Sequence, residues 1–298
     1  MAIMTTAFVL SGGGNLGAIQ AGQLKALLAA GITPDLIIGT SVGAINGAFL
    51  AGACHPKGCD QLAETWRTLR RNHIFPTHAA VGLNGLIGRR GHLVPSTGLR
   101  RLLQRHLQFA RLEDAPTALH VVTCDLRTGA EVLLSQGDAI DAVCASAAIP
   151  GIFPPVTNGE HILVDGGIAN NAPVSHAVEL GADIIWVLPC GYACSLRETP
   201  RSAAGIAMQA ISLLVHQRLS VDVARYQHDH ELRVLPTLCP LNVSPTDFTQ
   251  SDRLMTDAFR AHRNGSTRAT PTTPTCSDSH TATDTSTSAR HTPDYDSR

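Results

Sequence analysis

Two glycine turns, each entered from a short apolar run and each leaving into a helical pattern, constrain this chain more than any other feature. The first is Gly12-Gly13-Gly14-Asn15-Leu16-Gly17, which follows Ala7–Leu10. The second is Gly39-Thr40-Ser41-Val42-Gly43, which follows Asp35–Ile38. An apolar β-rich run, a glycine turn and then helically spaced apolar residues make a strand–turn–helix unit. The first unit predicts a helix over about Leu16–Ala30, with Leu24, Leu27 and Leu28 on one face and Gly31 as its C′ terminator. The second predicts a helix over Ala44–Ala53. Downstream, strands are expected at Leu119–Thr123, Glu131–Leu134, Ile162–Val164, Ile184–Leu188 and Glu231–Leu235. Helices are expected over Pro95–Leu107, Ala139–Ala147, Pro173–Leu180 and Ala203–Ala224. Strands alternating with crossover helices predict an α/β fold: a mainly parallel central sheet with helices on both faces, in three layers.

Composition agrees with one well-packed domain. Apolar residues make up 44% and charged residues only 16%, below the usual ~25%. The folded domain is expected over residues 5–263. From Asn264 onward there is no Leu, Ile, Val, Met, Phe or Trp and nearly half the residues are Ser or Thr. Such a segment cannot offset its conformational entropy by burial, so residues 264–298 are expected to be a disordered tail. A formal net charge of −1 supplies no diffuse attraction for nucleic acid, which is not expected as a partner. The first residues lack a basic n-region and read as a strand rather than a signal peptide. The most apolar stretch, Leu36–Ala53, is broken by four glycines, Ser41 and Asn46, unlike the ~20 continuous apolar residues of a membrane span. Eight cysteines show no framework, and Cys124, Cys144 and Cys190 sit in or beside apolar runs as small buried hydrophobes. Cys190 and Cys194 lack the second pair that a zinc site needs, so no metal is expected. These features predict a reduced, cytoplasmic protein.

The chemistry lies in the turns. Read alone, Gly12–Gly17 satisfies the dinucleotide pattern G-x-G-x-x-G, but the second strand ends in Gly39-Thr40-Ser41 where that site needs an acid for the ribose. The second turn is G-x-S-x-G between a strand and a helix. Gly39 and Gly43 leave room for a sharp bend that exposes a serine hydroxyl, which marks Ser41 as a candidate nucleophile. Backbone N–H groups of Gly13 and Gly14, on a neighbouring turn, could hold the oxygen of a carbonyl that Ser41 attacks. Such an oxyanion hole is worth ~3 kcal/mol per donor. None of the 14 histidines sits in a catalytic motif; His73, His78, His106, His216, His228 and His230 have helical or loop contexts. Asp165 ends the apolar strand Ile162–Val164 and is followed by the permissive Gly166 and Gly167. Partial burial there would raise its pKa into the range of a general base.

Ser11–Gly17, Gly39–Gly43, Ala145-Ser146-Ala147-Ala148-Ile149-Pro150 and Asp165-Gly166-Gly167 together resemble the four ordered blocks of the patatin-like phospholipases, over roughly residues 7–190. The resemblance implies a lipid acyl hydrolase with a Ser–Asp dyad and no catalytic histidine, metal or cofactor. By block position it makes Ser41 the nucleophile and Asp165 the base, with Gly12, Gly13 and Gly14 lining the oxyanion hole. Leu16 stands where the family's glycine block usually carries Arg or Lys, a departure that touches phospholipase activity more than esterase activity.

The implied partner is a lipid or small acyl-ester substrate, met through transient contact with a membrane surface. The stretch Val81–Arg90 mixes apolar residues with Arg89 and Arg90 and reads as an interfacial flap or an ordinary surface loop. Two other readings stay open. One is an α/β-hydrolase in which Asp165 orients His176 or His216; the other is a non-catalytic module that binds lipid or nucleotide.

Overall fold

The structure is a computed structural model that describes residues 4–75, 91–191, 203–238, 243 and 247–263, without the side chains at 203–205, 207–209, 211–212 and 215–216. His78, the stretch 81–90, Cys194, the imidazole of His216 and the segment from Asn264 lie outside the described residues.

Among the described residues one sheet carries eight strands: β1 (Thr6–Leu10), β2 (Leu36–Thr40), β3 (Ala118–Asp125), β4 (Glu131–Leu134), β5 (Val156–Asn158), β6 (His161–Asp165), β7 (Ile184–Leu188) and β8 (Glu231–Val234). Parallel pairing joins them in the order β3-β2-β1-β7-β8. Strands β4 and β6 pair antiparallel with β3, and β5 pairs antiparallel with β6. The sheet is mixed and mostly parallel.

Side chains alternate across it. Phe8, Leu10, Ile37 and Val121 enter the larger core, whereas Ala7, Val9, Ile38 and Val122 enter the smaller one on the opposite face. The larger core is closed by α1 (Gly17–Ala29), α2 (Val42–Gly52), α3 (Pro56–Thr68), the single turn α4 (Arg71–Ile74), α5 (Thr97–His106), α6 (Ala139–Ser146) and, near the end of the described chain, Ser251–His262. The smaller core is closed by α7 (Val174–Glu179) and α8 (Ala203–Tyr226) through Val174, Ala177 and Leu219. The helix Ser251–His262 is α9.

Among the described helices, the single turn α4 and the longer α3 and α9 lie outside the sequence expectations, although in α3 and α9 the spacing carries the signal. Helix α3 buries Cys59, Leu62, Ala63 and Trp66, and α9 buries Leu254, Met255, Ala258 and His262, both at helical intervals. Their presence changes α1. Instead of one apolar face, α1 is buried nearly all round, and Gly22 lets α9 approach so closely that a Cβ there would stand 2.3 Å from the Met255 carbonyl oxygen.

Candidate active site

In the β1–β2 register Leu10 faces Gly39, so the two glycine turns leave the sheet side by side. Close approach explains the glycines of the second turn. A Cβ on Gly43 would lie 2.2 Å from the Leu10 carbonyl oxygen, and one on Gly39 would lie 2.5 Å from that of Gly43. Ser41 is the one non-glycine residue with positive φ among those described (φ 56, ψ −122), at the N-cap of α2. A conformation of that kind costs on the order of 1–3 kcal/mol and persists where its surroundings over-determine it. Here the Ser41 N–H donates to Ser146 Oγ (2.8 Å), and its carbonyl accepts from the amides of Ala44 (3.0 Å) and Ile45 (3.2 Å).

Asp165 arrives from the opposite direction. The β2–β3 register ends at Thr40 opposite Val122; one position on, Thr123 faces Asp165. The other edge of β3 is taken by β4, which pairs with both Val122 and Thr123. Strand β6 therefore continues along β2's edge, running against it, and the carboxyl ends of β2 and β6 meet. Asp165 thus reaches Ser41 from an antiparallel strand, which a sheet of uniformly parallel strands would not supply.

Ser41 Oγ donates to Asp165 Oδ2 at 2.7 Å, and Asp165 Oδ1 accepts the Gly167 N–H at 2.8 Å. Both side chains are nearly enclosed: Ser41 is 8% and Asp165 7% exposed. Burial pushes the Asp165 carboxyl up to about 6, against the lowering influence of the Ser41 hydroxyl and the Gly167 amide. Gly166 and Gly167 open a 3-10 turn, Gly166–Ile168, and Gly166 lies flat on β3, where a Cβ would meet the Val122 carbonyl oxygen at 2.3 Å.

The first glycine turn faces the same spot. The Gly12 amide is engaged by the Asn171 carbonyl (3.1 Å), and a Cβ on Gly12 would stand 3.1 Å from the Cβ of Ser41. Gly13 backs onto Cys190, and Gly14 (φ 60) begins the 3-10 turn Gly14–Leu16. Among the described residues no acceptor takes the N–H groups of Gly13 or Gly14. A chain of buried amides fixes this loop. Gln20 Nε2 donates to the carbonyls of Ser11 (2.9 Å) and Leu188 (2.8 Å), Asn46 Nδ2 to Gln20 Oε1 (2.9 Å) and Trp66 Nε1 to Asn46 Oδ1 (3.0 Å). Polar residues on helices too apolar for a solvated face were the signal in the sequence. Leu16 packs half-buried against the larger core.

His176 is occupied elsewhere. Its Nε2 lies 3.1 Å from Glu131 Oε2 and its Nδ1 2.9 Å from Glu179 Oε2, and these carboxylates raise its pKa. Both oxygens of Asp165 are meanwhile taken by Ser41 and Gly167. Glu131 is held down to about 2, first by His176 and then by Asn170 and Arg218. Arg218 of α8 spans Glu131 Oε1 (3.2 Å) and Asp222 Oδ2 (3.1 Å). The group backs the elbow through Asn170, whose carbonyl accepts the Thr40 hydroxyl at 3.0 Å.

The family model of the patatin-like phospholipases matches residues 8–178, which include all four sequence blocks. The chain belongs to the patatin-like phospholipase family. Among family relatives, patatin-like phospholipase domain-containing protein 6 of Mus musculus is 30% identical over 216 residues, which cover 70% of this chain and 15% of that protein. An uncharacterized NTE family protein of Mycobacterium tuberculosis is 34% identical over 168 residues, covering 56% and 27%. The chain therefore spans well under a third of these curated relatives. VipD from Legionella pneumophila superposes with a TM-score of 0.43 at 16% identity, covering 87% of this chain and 67% of that one. Human GIVD cytosolic phospholipase A2, solved in complex with methyl gamma-linolenyl fluorophosphonate, does so with 0.42 at 14% identity, covering 90% and 59%.

Proposed function

We propose that the chain is a serine acyl hydrolase acting on lipid esters, with Ser41 as nucleophile and Asp165 as general base. The observation that carries this reading is the 2.7 Å hydrogen bond from the Ser41 hydroxyl to a carboxylate raised to about 6 by burial. A base of that pKa is ionised at neutral pH and still able to hold a proton during the reaction.

Ser41 Oγ attacks the ester carbonyl while its proton passes to Asp165 Oδ2. The negative charge that develops on the carbonyl oxygen is received by the N–H groups of Gly13 and Gly14, with the N-terminus of α2 beside them. Gly12 contributes space, since its own amide is taken by Asn171. The protonated Asp165 then supplies the proton that lets the alcohol leave. In the second half, Asp165 takes a proton from the water that attacks the acyl-serine and passes it to Ser41 Oγ as the acyl–oxygen bond breaks, which restores both residues. With Leu16 turned to the core, the position that usually bears a cation adds no charge here, and oxyanion support falls to the main chain.

Apolar exposure favours an acyl-bearing substrate. Ile149 and Ile168, on the two turns that flank Asp165, are 37% and 59% exposed, and serve as the apolar lip over which a lipid enters from a membrane surface. Among the described residues no helix is long and apolar enough to cross a membrane. The free buried thiols of Cys59, Cys124, Cys144 and Cys190 fit a reducing, cytoplasmic setting.

The test is labelling with a fluorophosphonate probe, followed by turnover of a short p-nitrophenyl ester and of phospholipid and neutral-glyceride dispersions. Label is expected on Ser41, and Ser41→Ala and Asp165→Asn are each expected to lose activity by roughly 10³-fold or more while staying folded. Wild-type turnover by Ser41→Ala would end the assignment.

A further inference from the structure

The turn Ala145–Pro150 takes no part in the reaction as derived above, yet it touches the main chain of both dyad residues. Ser146, the last residue of α6, is wholly buried. Its Oγ accepts the Ser41 N–H (2.8 Å) and donates its own hydrogen to the Val122 carbonyl (2.6 Å). Two residues later the Ala148 carbonyl accepts the Asp165 N–H (3.0 Å). The turn is itself tied to α6, since the amides of Ala147 and Ala148 donate to the carbonyls of Val143 (3.0 Å) and Ala145 (3.1 Å).

We infer that Ser146 is a positioning residue: its hydroxyl, wedged between the Ser41 amide and the Val122 carbonyl, works with the Ala148 carbonyl as a bracket that sets the separation of nucleophile and base. The inference rests on the Ser–Asp reading. The last register pair of β2 and β3 is Thr40 with Val122. Beyond it the chain must leave the ladder at Ser41 with positive φ, and the Ser41 N–H needs an acceptor that lies off the strand. A hydroxyl meets this need because it accepts from one group while donating to another. A methyl group in the same place leaves a buried N–H and a buried carbonyl oxygen without partners, and the elbow relaxes toward whatever restores them. A shift of about 1 Å between reacting groups costs up to ~10²-fold in rate.

The bracket predicts a signature beyond lower stability. The Ser41 hydroxyl holds the Asp165 pKa down against burial. If Ser41 drifts from Oδ2, that influence is lost, and the acid limb of the pH–rate profile moves to higher pH.

The experiment compares the full wild-type chain with Ser146→Ala, Ser146→Cys and the Ser41→Ala blank. It reads kcat and KM for a soluble p-nitrophenyl ester from pH 4 to 9 and the rate of fluorophosphonate labelling, at a temperature where circular dichroism shows each variant folded. Ser146→Ala is expected to lose about 10- to 100-fold in kcat and in labelling rate, with KM within about twofold and the acid limb shifted upward. If the alanine variant does not fold, the near-isosteric cysteine, a weak hydrogen bonder, reads the same quantities and is expected to move in the same direction. Wild-type kcat and an unmoved acid limb in a folded Ser146 variant, with Ser41→Ala inert, would overturn the bracket and leave the nucleophile in place. Turnover by Ser41→Ala would instead remove the reading beneath it.

Discussion

Ser41 and Asp165 stand where two strands of opposite direction meet end to end along one edge of β3: Thr40, just before Ser41, and Asp165 face neighbouring β3 residues, Val122 and Thr123. The pair is separated by 124 positions in the chain and by 2.7 Å in space. Neither strand extends far enough to carry its residue past the other. The sheet therefore brings the two chain ends together, and the turn after α6 holds the main chain of both residues there.

The pH–rate profile follows from the burial of Asp165. On the Ser–Asp reading the ionised carboxylate is the working form, and burial pushes its pKa up to about 6. We expect kcat/KM for a soluble ester to rise about tenfold per pH unit below that value and to level off above it. A profile that stays flat between pH 4 and 8 would exclude Asp165 as the base.

The same shift carries a stability consequence of the opposite sense. A carboxyl raised from 3.8 to about 6 on folding favours the folded state when protonated. That contribution is complete below about pH 4 and is lost as the pH rises through 6, leaving a cost of roughly 3 kcal/mol at neutral pH. Asp165→Asn has no such ionisation, so thermal melts should show it more stable than wild type at pH 7 by several degrees. The advantage should shrink toward pH 4.

His176 separates the dyad from a triad. On the Ser–Asp reading, His176→Ala keeps ester turnover within a fewfold of wild type. It loses the Glu131 ion pair, on the order of 1–3 kcal/mol, while the exposed Glu179 adds little. Because the carboxylates raise the His176 pKa, this stabilisation is full below its ordinary value of 6.5 and fades as the pH rises through the folded value. Denaturant titrations should therefore show a larger deficit at pH 6 than at pH 9. A loss of turnover equal to that of Ser41→Ala would instead restore the triad.

Glycine identity matters where main chains nearly touch. Gly43→Ala forces a methyl to 2.2 Å from the Leu10 carbonyl oxygen and should abolish fluorophosphonate labelling, soluble expression or both. The control is Gly47→Ala, whose methyl meets only the tips of the Ile37 and Leu119 side chains, at 3.0 and 3.4 Å, and is expected to cost far less than Gly43→Ala. Full activity in Gly43→Ala would show that the elbow is looser than its packing indicates.

Most strands and several helices were legible because the signals are local. Glu131–Leu134 and Ile184–Leu188 match the sequence expectation residue for residue, and five further strands differ from it by one or two residues at an end, whereas the three-residue β5 was not expected at all. Helices α3 and α9 carry the same kind of periodicity, but polar residues around Trp66 and Met255 mask their short buried stripes. The sidedness of α1 was beyond local reading, because its second buried face exists only once α9 lies across Gly22.

The order of residues along the chain determined by itself where tight bends can form, since a missing Cβ at Gly39 and Gly43 is a covalent fact. It also determined that Ser41 stands on such a bend and that Asp165 ends an apolar strand. Tertiary structure alone decided that β6 turns back toward β2, that Ser146 fills the gap in the ladder, that the Gly12 amide is spent on Asn171, and that His176 belongs to Glu131. The reason is physical. Bend propensity resides in single residues, whereas strand direction and hydrogen-bond partnership are settled by competition among groups far apart in the chain, after the core has brought them into reach.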